Sequence, residues 1–62
     1  MNSIKKYREV TKITQQQLAD RIGVSRQTIV RFENGTHEPR LTELRRMAEI
    51  FGCSMNDLVN PI

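Results

Sequence analysis

Arg26, Gln27 and Arg31 are the side chains whose types and spacing most clearly suggest a recognition chemistry. They lie in the segment QQQLADRIGVSRQTIVRFEN, residues 15–34, and Gln27 and Arg31 would share a face if their part of it is helical. Arginine presents paired donors that match the edge of guanine, and glutamine can bond adenine, both in the major groove of duplex DNA. The alternative is an ordinary solvated face, which most amphipathic helices have.

The surrounding apolar pattern predicts two short helices that would present this polar face. Leu18 and Ile22 lie four residues apart. Phe32 follows Ile29 by three residues. These spacings stack side chains on one helical face, so the four residues can meet in one core.

Local signals mark where these helices begin and end. Gly23 can adopt a positive φ without a steric penalty and so ends the first helix. Ser25 is placed to accept an amide hydrogen bond as the N-cap of the second helix. Thr14 and Gln17 fit the spacing of a capping box, which predicts the start of the first helix.

These residues together resemble the helix-turn-helix of the Cro/phage-repressor type, also called the XRE family of bacterial and phage regulators. The resemblance runs from about Ile4 to Leu58. Its most specific elements are, in order, Thr14-Gln15, Leu18-Ala19, Gly23-Val24-Ser25 and Phe32-Glu33-Asn34-Gly35 followed by Pro39. It implies an all-α fold, a compact bundle of five short helices with a central helix-turn-helix (a lambda-repressor-like DNA-binding domain). We expect a single domain over residues 1–62.

The resemblance also implies a function and a mode of binding. Relatives bind double-stranded DNA in a sequence-specific way, usually as homodimers, and usually repress transcription. In that mode the third helix, about residues 26–34, lies in the major groove, where Arg26, Gln27 and Arg31 would read bases. The residues implied at the DNA backbone are Gln15, Gln16, Ser25, Thr28, Asn34, Thr36 and Arg40.

Several of these backbone assignments have alternatives. Gln16 is equally well explained as a soluble helix former. Ser25 and Thr28 would hold phosphate or pack against a thymine methyl group. Asn34 precedes glycine at a helix end, where turn chemistry explains an asparagine as well as a phosphate contact does.

The resemblance also concerns two positions, one in the first helix and one just after it. Relatives pair an arginine at the position of Arg8 with the glutamate near the end of the recognition helix, here Glu33, and we expect the same salt bridge. Lys12 stands where relatives often have glycine at a helix end. A positive φ at Lys12 would cost about 1 kcal/mol, so this helix end is either strained or shaped differently from that of relatives.

Apolar spacing and capping residues also predict the other three helices. The sequence predicts a first helix over about Ser3–Thr11, a fourth over about Leu41–Phe51, and a short fifth helix capped at Ser54. Beyond it lie three apolar residues that are candidates for the self-complementary patch of a two-fold dimer, Val59, Pro61 and Ile62. Alternatively, these three residues close the core of a small domain.

Charge distribution and cysteine content give further information about the partner and the location of the protein. The formal net charge is +3, but residues 1–40 carry +4 and residues 41–62 carry −1, so the basic charge accompanies the helix-turn-helix. Cys53 is the only cysteine, which excludes a disulfide within one chain and predicts a small buried apolar side chain. With a free thiol and no signal-like or membrane-length apolar run, we expect a protein of the reducing cytoplasm. The resemblance implies that it is bacterial or phage-encoded.

The sequence offers no sign of catalysis. We find no nucleophile with a base, no glycine-rich phosphate loop and no metal-ligand spacing, so we expect neither an enzyme nor a cofactor, metal or small-molecule ligand. The principal alternative to a regulator is an antitoxin or other protein-interaction module of the same fold, whose main ligand is a protein. RNA binding is less favoured, because no aromatic stacking platform is evident.

Overall fold

The computed structural model describes residues 2–60 as an all-helical chain, which confirms the predicted fold class. The helices are α1 (Ile4–Thr11), α2 (Gln15–Ile22), α3 (Arg26–Asn34), α4 (Leu41–Phe51) and α5 (Met55–Val59). Helix α1 begins one residue later than predicted, and the bounds of α4 are those predicted. Among these five helices, none has both the length and the apolar character needed to cross a lipid bilayer.

Capping side chains define the two central helices. Thr14 Oγ1 accepts a hydrogen bond from the Gln17 amide at 3.0 Å, and Gln17 Oε1 accepts one from the Thr14 amide at 2.8 Å. Ser25 Oγ accepts from the Thr28 amide at 3.2 Å. Between them Gly23 has φ 77°, and its amide bonds to Ala19 O at 2.9 Å. The predicted caps and the predicted helix end at Gly23 are therefore confirmed.

The side of α3 that carries Ile29 and Phe32, its inner face, packs into the hydrophobic core. The four residues predicted to meet there are all buried, and two of them, Ile29 and Phe32, come from α3. Ala19 is fully buried as well, and its small side chain allows α2 and α3 to pack closely. Each large apolar side chain buried in this way contributes about 1.5–3 kcal/mol. The opposite face of α3 is therefore held in a defined orientation toward solvent.

The start of the described chain ties three helices together. Asn2 Nδ2 donates to Phe32 O at 2.8 Å, and Asn2 Oδ1 accepts from the Ile4 amide at 3.0 Å. The Ser3 amide donates to Leu58 O at 2.9 Å, and the Ser3 hydroxyl donates to Asn60 O. These bonds connect the beginning of α1 to the end of α3 and to α5, which further restrains α3.

A half-buried cluster lies between α1 and the end of α4. The rings of Tyr7 and Phe51 stack with their centroids 6.3 Å apart. Burial raises the pKa of the Tyr7 phenol, and the nearby Asp57 and Cys53 add to that rise. Burial and Asp57 also raise the pKa of the Cys53 thiol. The thiol is therefore protonated at neutral pH. Cys53 packs against the hydrophobic core but is only partly buried, so the predicted buried side chain is confirmed in part.

The residue that caps the C-terminal end of α1, Lys12, has a strained backbone conformation. Lys12 has φ 63° and ψ 41°, the left-handed conformation that glycine adopts most easily. Of the two possibilities for this helix end, the strained one with a positive φ is therefore present, although the side chain is lysine. A side chain with a Cβ pays about 1–2 kcal/mol in this conformation.

We predict that Lys12→Gly raises the free energy of unfolding by up to about 1 kcal/mol, since relief of strain outweighs the greater freedom of glycine in the unfolded chain. Urea unfolding monitored by circular dichroism measures this change. The matched control is Lys6→Gly within α1, which should lower the free energy of unfolding by about 1 kcal/mol. Equal losses from both substitutions would contradict the account of strain at Lys12.

Candidate nucleic-acid interface

The outer face of α3 carries three long polar side chains. Arg26, Gln27 and Arg31 are all exposed, whereas Ile29 and Phe32 on the inner face are buried. Gln27 and Arg31 are one helical turn apart, so they project from the same side of a helix whose other side is anchored. Among residues 2–60 no other element covers these three side chains.

The charges on this face are available to an external partner. The ion pair found among the described residues joins Arg8 to Glu33, and neither Arg26 nor Arg31 has a carboxylate within ion-pair distance in that part of the chain. An unpaired guanidinium keeps its five donors for a planar acceptor such as a base edge or a phosphate. The face is therefore suited to an anionic ligand that carries hydrogen-bond acceptors.

Arg8 and Glu33 form a two-point contact behind this face. Arg8 Nε lies 2.6 Å from Glu33 Oε2, and Arg8 Nη2 lies 3.4 Å from Glu33 Oε1. Arg8 Nη1 also donates to Ile13 O at 3.0 Å. The side chains of Arg8 and Glu33 are only 12% and 6% exposed. The pair joins α1 to the end of α3 and sets the position of that end.

The side chain of Gln15 is joined to the same carboxylate. Gln15 Nε2 donates to Glu33 Oε1 at 3.0 Å, which links the first residue of α2 to α3. The sequence did not indicate this bond, because no local pattern relates residues eighteen positions apart. Gln15 is half-buried and keeps one amide N–H for another acceptor.

Gln16 differs from its neighbour. It is exposed, and its Nε2 donates to Asp20 Oδ1 at 2.9 Å within α2. This hydrogen bond within α2 agrees with the alternative in which Gln16 is a soluble, surface-exposed helix former. An anion that approached Gln16 would also meet the carboxylate of Asp20, so Gln16 is less suited than Gln15 to bind an anion.

Ser25 and Thr28 face each other at the start of α3. Their hydroxyl oxygens are 2.9 Å apart, and Ser25 Oγ also caps the Thr28 amide. Ser25 is exposed and Thr28 is half-buried. The two hydroxyls therefore form a small polar site at the end of α3 that is rich in free N–H groups, where an anion would be favoured.

Asn34 takes part in a turn after α3. Asn34 Oδ1 accepts from the Thr36 amide at 3.0 Å and from Thr36 Oγ1 at 2.6 Å. Turn chemistry, one of the two alternatives for Asn34, is thus present. Because these bonds use only the amide oxygen, Asn34 Nδ2 keeps its donors, and both residues remain exposed.

Arg40 lies at the start of α4 beside two acidic residues. The Arg40 amide donates to Glu43 Oε1 at 2.8 Å, and the Arg40 side chain is exposed. A groove joins Arg40 to the hydroxyls of Ser25 and Thr28, and it is also lined by Glu38 and Glu43. These carboxylates lower the positive potential on this side of α3.

The dimer candidates are only partly described. Val59 ends α5 with 42% of its surface exposed, which leaves an apolar side chain for a partner. Pro61 and Ile62 lie outside the described residues.

Comparisons with known proteins identify the family of the chain. A family model described as helix-turn-helix matches residues 4–58. An uncharacterised HTH-type transcriptional regulator of Methanocaldococcus jannaschii is 40% identical over 57 residues, covering 92% of this chain and 86% of the relative. Another from Archaeoglobus fulgidus is 38% identical over 55 residues, covering 89% and 78%. The transcriptional repressor RstR of the cryptic phage CTXphi, from Vibrio cholerae, is 29% identical over 59 residues, covering 95% and 53%.

These matches cover nearly all of the helical bundle, including the turn between α2 and α3. The family is a class of transcriptional regulators and not a class of enzymes. The chain therefore belongs to the Cro/repressor-type helix-turn-helix family of DNA-binding transcriptional regulators.

Proposed function

We propose that this protein is a repressor that binds a specific double-stranded DNA sequence as a homodimer, with α3 inserted in the major groove. The observation that supports this most directly is the uncovered outer face of α3, which presents Arg26, Gln27 and Arg31 without a carboxylate partner among residues 2–60. An α-helix fits the major groove of B-DNA, and arginine and glutamine are common readers of guanine and adenine there.

In this mode the DNA backbone is contacted on both sides of α3. Gln15 begins α2, where free amides and the positive end of the helix dipole favour a phosphate. Thr36 and Arg40 follow α3 and reach the backbone from the other side. Ser25, Thr28 and Asn34 border α3 itself, and we rank Gln16 below them because of its bond to Asp20. Such contacts position the protein, and the base contacts give specificity.

Dimerisation would match the protein to a two-fold operator. Two recognition helices about 34 Å apart would read half-sites separated by one helical turn of DNA. An operator that overlaps a promoter would then be blocked to polymerase, which is the usual route to repression in this family. We place the interface at the C-terminal end, at Val59 with Pro61 and Ile62.

We predict that Val59→Asp weakens dimerisation by about tenfold or more, equivalent to at least about 1.4 kcal/mol, because a carboxylate replaces an apolar contact. Sedimentation equilibrium over a range of concentrations measures the dissociation constant. Val10→Asp is the matched control, since Val10 is 70% exposed and lies on α1. Equal effects from the two substitutions, or a wild type that remains monomeric when bound to DNA, would place the interface elsewhere or exclude it.

Selection from random duplex DNA with the purified protein tests the proposal as a whole. We expect an enriched sequence with two-fold symmetry and half-sites one helical turn apart. Enrichment without symmetry would retain DNA recognition but contradict the dimer. No enrichment, combined with recovery of a stoichiometric protein partner from cells, would favour the alternative of a protein-interaction module.

A further inference from the structure

A groove between α1 and α3 lies beside the face that we assign to base reading. We call it the α1–α3 groove; its volume is about 230 Å³ and it is lined by Lys5, Gln15, Val30, Glu33 and Asn34. Asn34 and Arg31 are three residues apart on α3, so the groove adjoins the outer face of that helix. A DNA strand that flanks the major groove occupied by α3 would pass near this position.

The charges in the α1–α3 groove favour an anion despite the presence of Glu33. The carboxylate of Glu33 is compensated by Arg8, with Nε 2.6 Å from Oε2, and its other oxygen accepts from Gln15. Lys5 is exposed and has no ion pair among residues 2–60, and it lies three residues before Arg8 on the same side of α1. The uncompensated charge of the groove is therefore the ammonium of Lys5.

The donors around the groove come from three helices. Lys5 lies on α1, Gln15 on α2 and Asn34 on α3. Gln15 keeps one amide N–H beyond its bond to Glu33, and Asn34 Nδ2 keeps its donors beyond the turn formed by the amide oxygen. A lysine ammonium binds phosphate as a point charge, while neutral amides direct the phosphate oxygens.

We propose that Lys5 binds a phosphodiester of the DNA backbone in the α1–α3 groove, together with Gln15 and Asn34. This inference rests on the proposed function, because it assumes that α3 occupies the adjacent major groove. The proposal adds α1 to the elements that contact DNA. It gives a role to Lys5, which is not among the DNA contacts implied by the family resemblance.

The test compares Lys5→Met with Lys6→Met. Both changes remove one positive charge from α1 and retain an unbranched apolar stem, but Lys6 does not line the groove. The affinity of each protein for its selected operator and for an unrelated duplex is measured between 50 and 300 mM salt. Thermal unfolding of each variant, with the wild type as reference, checks that the fold is retained.

A lysine that neutralises one phosphate releases counterions, so the slope of log affinity against log salt concentration should fall by about 0.9 per protomer for Lys5→Met. A dimer would therefore lose about 1.8 in slope, to a similar extent on both DNAs, and Lys6→Met should change the slope by much less. Equal slopes for the two variants would overturn the assignment of Lys5. A wild type that fails to bind any duplex would instead contradict the proposed function, so the two failures are distinguishable.

Discussion

The substitution Arg8→Met is expected to lower the free energy of unfolding by about 3 kcal/mol. Removal of the guanidinium leaves the Glu33 carboxylate, whose side chain is only 6% exposed, without the partner that compensates its charge. For a domain of this size the whole free energy of unfolding is about 3–9 kcal/mol. The loss is therefore a large share of the total, and the melting temperature should fall by about 4–8 °C for each kcal/mol lost.

A double-mutant cycle separates the ion pair from general packing. Replacement of both partners by apolar groups, Arg8→Met with Glu33→Leu, removes the uncompensated charge and should recover much of the loss. Urea unfolding of the wild type, both single variants and the double variant gives the coupling energy. Arg45→Met, at an exposed position of α4, is the control and should change stability by less than about 0.5 kcal/mol. Single variants as stable as this control, or losses that simply add, would contradict the structural role of the pair.

Arg31→Ala is expected to weaken binding to the operator by about 1–3 kcal/mol, or about 5- to 150-fold. Arg31 lies on the exposed face of α3, and the substitution removes the paired donors that would bond one base. The preference at a single base position should relax, while the preferences at other positions persist. Repetition of the random-sequence selection with this variant identifies that position.

Arg31→Ala also removes one positive charge, and a control must show how much of the lost affinity is due to that charge alone. Arg45→Ala removes the same charge from an exposed position of a different helix, α4, and should have little effect on operator affinity. Binding of both variants is measured at one salt concentration, on the selected operator and on unrelated duplex DNA. If Arg31→Ala weakens binding equally on the two DNAs, Arg31 contacts the backbone and does not read a base.

The local features of the fold could be predicted from the sequence because their causes lie within four residues. The capping box of Thr14 and Gln17, the N-cap at Ser25 and the helix end at Gly23 each involve neighbours along the chain. The spacing of Leu18 and its apolar partners likewise indicates which face of each helix is buried. The positive φ at Lys12 was one of two possibilities raised by the family resemblance, and the residue itself gives no signal that decides between them.

Contacts between distant residues depended on how the helices pack. The burial of Arg8 and Glu33 could not be read from their types, and it is this burial that makes the pair important for stability. The partial burial of Cys53, which was predicted to be buried, likewise depends on how it packs against the core.

The sequence by itself determined the five helices, the family and the polar side chains that α3 carries. Helix periodicity and capping depend on residues that are close together along the chain, so short segments suffice to predict them. Only the tertiary structure decided which of these side chains are available to a ligand. It joined Gln15 to Glu33, used the oxygen of Asn34 in a turn, and placed Lys5 beside both across the α1–α3 groove. The physical reason is that hydrogen bonds and electrostatic compensation act over a few ångströms in space, whatever the separation along the chain.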